Sequence, residues 1–75
     1  MKLRDVFIKN VVKYRKEANL SQEKLAELSD LSPNYIGEIE RNARKVSIDT
    51  IEKIAVGLNV KPNELLEEKE KETVK

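Results

Sequence analysis

Four kinds of side chain in this sequence can do chemistry at a surface: amides, carboxylates, hydroxyls, and the cationic groups of Lys and Arg. With no Cys and no His among 75 residues, thiolate nucleophiles, imidazole acid–base catalysis and the usual zinc ligand sets are excluded. The most telling spacing lies in Ser21 to Arg41, SQEKLAELSDLSPNYIGEIER. Asn34 and Glu38 fall one helical turn apart, on the face opposite Ile36 and Ile39. An Asn amide can pair bidentately with N6 and N7 of adenine, and a Glu carboxylate can accept from N4 of cytosine. Each good contact of that kind discriminates by roughly 1–3 kcal/mol. The competing reading of either residue is an ordinary exposed helical side chain.

Cations follow directly after that helix, at Arg41, Arg44 and Lys45, with Asn42 among them. The net charge of +1 says nothing by itself, but its distribution is uneven. Residues 1–16 hold six Lys/Arg and one Asp, whereas residues 17–40 hold one Lys and six acids. A weak overall field with local basic clusters suits a few placed contacts to phosphates, which hold register without reading sequence. Most of the Lys/Glu alternation, Lys9, Lys13 and Lys16 included, is a solvated helical surface.

The elements that must position these groups are helices. Phe7, Val11, Tyr14 and Ala18 form one stripe from about Asp5 to Ala18, widened by Ile8 and Val12, and Asn19 is a left-handed stop. Ser21 caps a second helix with Glu23 in its first turn and Leu25, Ala26 and Leu28 on its buried side. The small Ala26 lets the next helix cross closely. A sharp corner at Ser29-Asp30, plugged by Leu31, leads to a third helix that starts on Ser32-Pro33 and runs to about Arg41. Ser47 caps a fourth, with Ile48, Ile51, Ile54, Ala55 and Leu58 as its stripe and Asn59 as its stop. Lys61-Pro62-Asn63-Glu64 starts a short fifth helix anchored by Leu65 and Leu66.

Two short helices about a sharp corner, the second with a polar face, form a helix-turn-helix, whose second helix can enter the DNA major groove. The expected fold class is therefore all-α, five helices in one domain over residues 1–66. Residues 67–75 (EEKEKETVK) form a charged, frayed or disordered tail. There is no internal repeat, no strand signal, no run of ~18 apolar residues and no signal-peptide core, so a cytoplasmic protein without membrane contact is expected.

The quoted pieces YRKE (Tyr14–Glu17), LSQEKLAE (Leu20–Glu27), LSPNYIGEIERN (Leu31–Asn42) and SIDTIEKIAVGLNVKPNELL (Ser47–Leu66) come in one order and spacing. Over residues ~7–66 the chain resembles the lambda-repressor-like, or Cro/XRE, helix-turn-helix family, including its small stand-alone repressors and restriction–modification controller proteins. The resemblance implies double-stranded DNA as partner, with Pro33, Asn34 and Glu38 at the base-reading positions; Pro33 has only a ring to set against a thymine methyl. Gln22, Arg41, Asn42, Arg44 and Lys45 then become phosphate contacts, and Tyr35 either gives its hydroxyl to a phosphate or is a plain, partly buried tyrosine. Gln22 also braces the reading helix, and Arg15 and Glu40 pair as a structural link between the first and third helices. One departure is Asp30, where the family usually carries Gly. Another is Gly37 inside the reading helix, which costs about 1 kcal/mol relative to Ala and reflects either close packing or close approach to DNA.

The resulting expectation is a sequence-specific regulator, a repressor, acting as a homodimer on a pseudo-palindromic operator. Val56, Val60 and Leu66 are the interface candidates, Leu65 belongs to the core, and Ile8 and Val12 offer a second patch. The competing reading of the same fold is an antitoxin-like module whose main partner is another protein. An enzyme is disfavoured, since no Gly-rich phosphate loop or pocket-sized domain accompanies the missing His and Cys. No cofactor, metal or small-molecule effector is implied.

Overall fold

The computed structural model describes residues 2–68 of the chain. Four α-helices follow one another: α1 (Leu3–Glu17), α2 (Gln22–Ser29), α3 (Pro33–Glu40) and α4 (Ile48–Leu58), with a 3-10 helix at Pro62–Leu66. No strand occurs among the described residues.

Local chemistry sets most of the boundaries. The hydroxyls of Ser21, Ser32 and Ser47 accept from the backbone N–H three residues on, at Lys24, Tyr35 and Thr50, at 2.9–3.1 Å. Each cap satisfies a donor that the first helical turn leaves open. Pro33 occupies the start of α3, where its missing N–H costs nothing. Asn19, Asp30, Asn42 and Asn59 all take positive φ, between 59° and 63°. Asp30, at φ 59° and ψ 44°, makes the left-handed corner between α2 and α3 despite its side chain.

The core is formed by Phe7 and Val11 of α1, Leu25 and Ala26 of α2, Ile36 and Ile39 of α3, Ile54, Ala55 and Leu58 of α4, and Leu65. Helices α2 and α4 approach so closely that a Cβ at Gly57 would collide with the Ser29 hydroxyl and lie 3.2 Å from Leu25 Cδ1. Ser29 Oγ is buried there without a hydrogen-bond partner. Gly57 thus does for α4 what Ala26 does for α2.

The structure corrects the expectation of five α-helices. The fifth segment is a five-residue 3-10 helix, after which the chain is extended at Glu67. A segment that short closes too few i→i−4 bonds to offset its nucleation. Its carbonyls are instead met by Asn10, whose amide donates to the oxygens of Leu65 at 2.9 Å, Glu67 at 2.8 Å and Glu64 at 3.4 Å. Four smaller differences accompany this one. Helix α1 starts at Leu3, Ala18 is exposed, Leu28 is exposed while Ser29 takes its place on the buried side of α2, and Ile48 is 83% exposed at the first turn of α4 and outside the buried stripe. The domain assignment to residues 1–66 stays an expectation, and all but Glu67 and Glu68 of the tail lies outside the described residues.

Candidate nucleic-acid interface

Helix α3 is held by its buried side, where Ile36 is fully buried and Ile39 is 1% exposed. That leaves Pro33 and Asn34 exposed on the first turn and Glu38 half-buried one turn later. Ser32, Asn34, Tyr35, Glu38 and Arg44 line one shallow polar cleft on this face. Asn34 and Glu38 are therefore brought together as the spacing predicts, with an unexpected neighbour in Arg44.

Arg44 Nη1 donates to Glu38 Oε1 at 2.8 Å, and its guanidinium carbon lies 5.2 Å from the centroid of the Tyr35 ring. The Tyr35 hydroxyl is bonded within the chain, at 3.3 Å from Thr50 Oγ1 and 3.5 Å from the Lys45 carbonyl. Thr50 is buried and accepts from Ser47 Oγ at 3.1 Å. A line of contacts thus runs from the start of α4 through Tyr35 to Arg44 and on to Glu38. Arg41, Asn42 and Lys45 are exposed along the loop that follows α3.

At the far end of α3 the polar chemistry is buried. Arg15 grips Glu40 through two bonds, Nε to Oε2 at 2.7 Å and Nη2 to Oε1 at 3.0 Å, and its Nη1 donates to the Leu20 carbonyl at 2.9 Å. Gln22 Nε2 adds a third bond to the carboxylate, at 2.9 Å from Oε1. The side chains of Arg15 and Glu40 are 12% and 8% exposed, so the forked geometry works at low local dielectric. Gln22 therefore stands at the start of α2 with its amide committed to the brace. A Cβ at Gly37 would only touch the ends of two flexible side chains, 3.4 Å from Gln22 Oε1 and 3.3 Å from Arg41 Nη1, so packing does not demand glycine there.

Three functional features escaped sequence reasoning: the Glu38–Arg44 pair, the Asn10 clasp on the last turn, and the exposure of Ile48. Of the three, only Asn10 left a signal, since a polar residue three after Phe7 sits on the core side of α1 and needs a partner there. Among the dimer candidates Val56 is 71% exposed, Val60 is partly buried against the core, and Leu66 lines an apolar groove with Leu3, Phe7, Ile48 and Ile51. Among the described residues no group of His, Cys, Asp or Glu could hold a metal, and no helix is long and apolar enough to cross a membrane.

Comparison with known proteins finds relatives of the same fold. The helix-turn-helix family model matches residues 11–65. Control protein C.BamHI of Bacillus amyloliquefaciens is 53% identical over 51 residues, 68% of this chain and 63% of its own length. Control protein C.SmaI of Serratia marcescens is 42% identical over 66 residues, 88% of this chain and 79% of the relative. Among solved structures, the restriction-modification controller protein C.AhdI from Aeromonas hydrophila superposes with a TM-score of 0.77 at 42% identity, covering 80% of this chain and 91% of that one.

Proposed function

Because this chain belongs to the helix-turn-helix family, we propose that it is a transcriptional regulator that binds a pseudo-palindromic DNA operator as a homodimer and represses from it. Its likeness to control proteins supports a place in regulating restriction and modification genes. The observation that carries the reading is the cleft on α3, where Asn34 and Glu38 share an exposed face beside a basic loop. With α3 in the major groove, Asn34 and Glu38 meet base edges and Pro33 packs near a thymine methyl. Arg41, Asn42 and Lys45 follow the phosphates, and the N-terminus of α2 at Gln22 faces another phosphate. The protein acts by occupying DNA in the cytoplasm and needs no cofactor or effector for it.

Leu66 is retained as a dimer contact, joined by Leu3 and Ile48, which are 60% and 83% exposed on the rim of the same groove. Two copies joined there would set their reading helices on half-sites about 34 Å apart. Val56 lies instead with Leu28 on another surface, and Val60 is largely occupied by the core. Selection of bound duplexes from a random pool tests the reading; the expected product is an inverted repeat with half-sites about one turn apart. Binding that is indifferent to sequence and salt would sink it. Sedimentation of Ile48→Asp tests the contact, with a monomer expected where the wild type dimerises.

A further inference from the structure

We propose that Arg44 and Glu38 act as one reading unit whose target is a C·G base pair, rather than Arg44 serving as a phosphate contact. The inference rests on α3 being the reading helix. Glu38 Oε1 is already engaged by Arg44 Nη1 at 2.8 Å, which leaves the second carboxylate oxygen as the acceptor for a base. A guanidinium has five N–H donors, so Arg44 keeps donors after binding Glu38. In the major groove cytosine presents the N4 donor, while its guanine partner presents the O6 and N7 acceptors beside it. An acceptor beside a fork of donors is the complement of that edge; an A·T pair offers the same donor and acceptor at adenine N6 and thymine O4 but sets the thymine methyl where guanine presents N7, so the second guanidinium donor decides between them.

Position and rigidity support the same assignment. Both side chains line the cleft that contains Asn34. Arg44 is held a second time by the Tyr35 ring at 5.2 Å, and the Tyr35 hydroxyl is anchored on Thr50 at 3.3 Å. A loop arginine that tracked phosphates would gain nothing from being stacked and paired towards the helix. Nor is the pair a stabilising device, since its arginine and glutamate side chains are 57% and 26% exposed and exposed ion pairs contribute little. Arg44 also cancels the charge that would otherwise set a bare carboxylate against the DNA backbone.

The test uses the full chain and the motif that the wild type enriches from a random duplex pool. Affinities are measured for every base pair of a half-site in wild type, Arg44→Ala, Glu38→Gln and the double variant, at several salt concentrations. The expected result is one position where the wild type prefers C·G by roughly tenfold or more. Arg44→Ala and Glu38→Gln should both flatten the preference there, and the double variant should flatten it no further. A uniform loss across all sequences in Arg44→Ala, with the salt slope reduced by about one, makes Arg44 a phosphate contact and overturns the proposal. Flattening at two different positions overturns it too. A wild type that enriches no motif overturns the proposed function itself and this inference with it.

Discussion

Glu38 and Glu40 sit two residues apart in α3, and each accepts from an arginine outside the helix. Around Glu40 the arginine is forked, a glutamine adds a bond, and both charges are almost out of water. Around Glu38 there is one bond, an exposed guanidinium and a cleft open to solvent. The same pair of functional groups therefore serves two ends. Burial makes the first a fastening between α1, α2 and α3, because either charge alone would be stranded. Exposure leaves the second free to exchange a water neighbour for a ligand at small cost.

The contrast can be broken most directly at Glu40. Glu40→Gln strands the Arg15 charge and should cost on the order of 3–5 kcal/mol, a fall in Tm of more than about 12 °C by circular dichroism. An unchanged Tm would remove the distinction altogether. Asn10→Ala asks whether burial or charge sets the scale, since this amide is neutral, 4% exposed and bonded to three carbonyls. About 1–3 kcal/mol is expected in denaturant unfolding, and a loss no larger than that of an exposed pair would mean that burial is not the deciding variable. Gln22→Ala removes one bond and leaves the fork intact, so about 1 kcal/mol should be lost. At the open end of the scale, Arg44→Ala should change stability by less than about 1 kcal/mol. A larger loss would place it with the Glu40 cluster.

The fold was legible wherever neighbours in sequence do the work. Ser21, Ser32 and Ser47 as caps, Asn19 and Asn59 as helix stops, the corner at Ser29-Asp30 and the apolar stripes of α2 and α3 are all local signals. Legibility failed where the partner is far along the chain. Asn10 meets carbonyls more than 50 residues away, so nothing near it in the sequence announces the clasp on the last segment. Ile48 matched the stripe of α4 by spacing, yet it is exposed while Thr50, in the same first turn, is buried. For the interface, the polar face of α3 was readable from period alone, and the Arg15–Glu40 fork followed from family resemblance. The Arg44 pairing was not readable, because the path of a loop across a helix face leaves no period in the sequence.

The left-handed corners have a consequence for the unfolded chain. All four α-helices are left through an Asn or Asp at positive φ, while the two glycines lie inside α3 and α4. Glycine would fit each corner without strain, but it would also enlarge the set of conformations that must be surrendered on folding. That second effect is about 0.4–1 kcal/mol per site, set against roughly 1–2 kcal/mol of left-handed strain for a residue with a side chain. With only a small core to draw on, this chain recovers part of its corner strain from a denatured ensemble kept narrow.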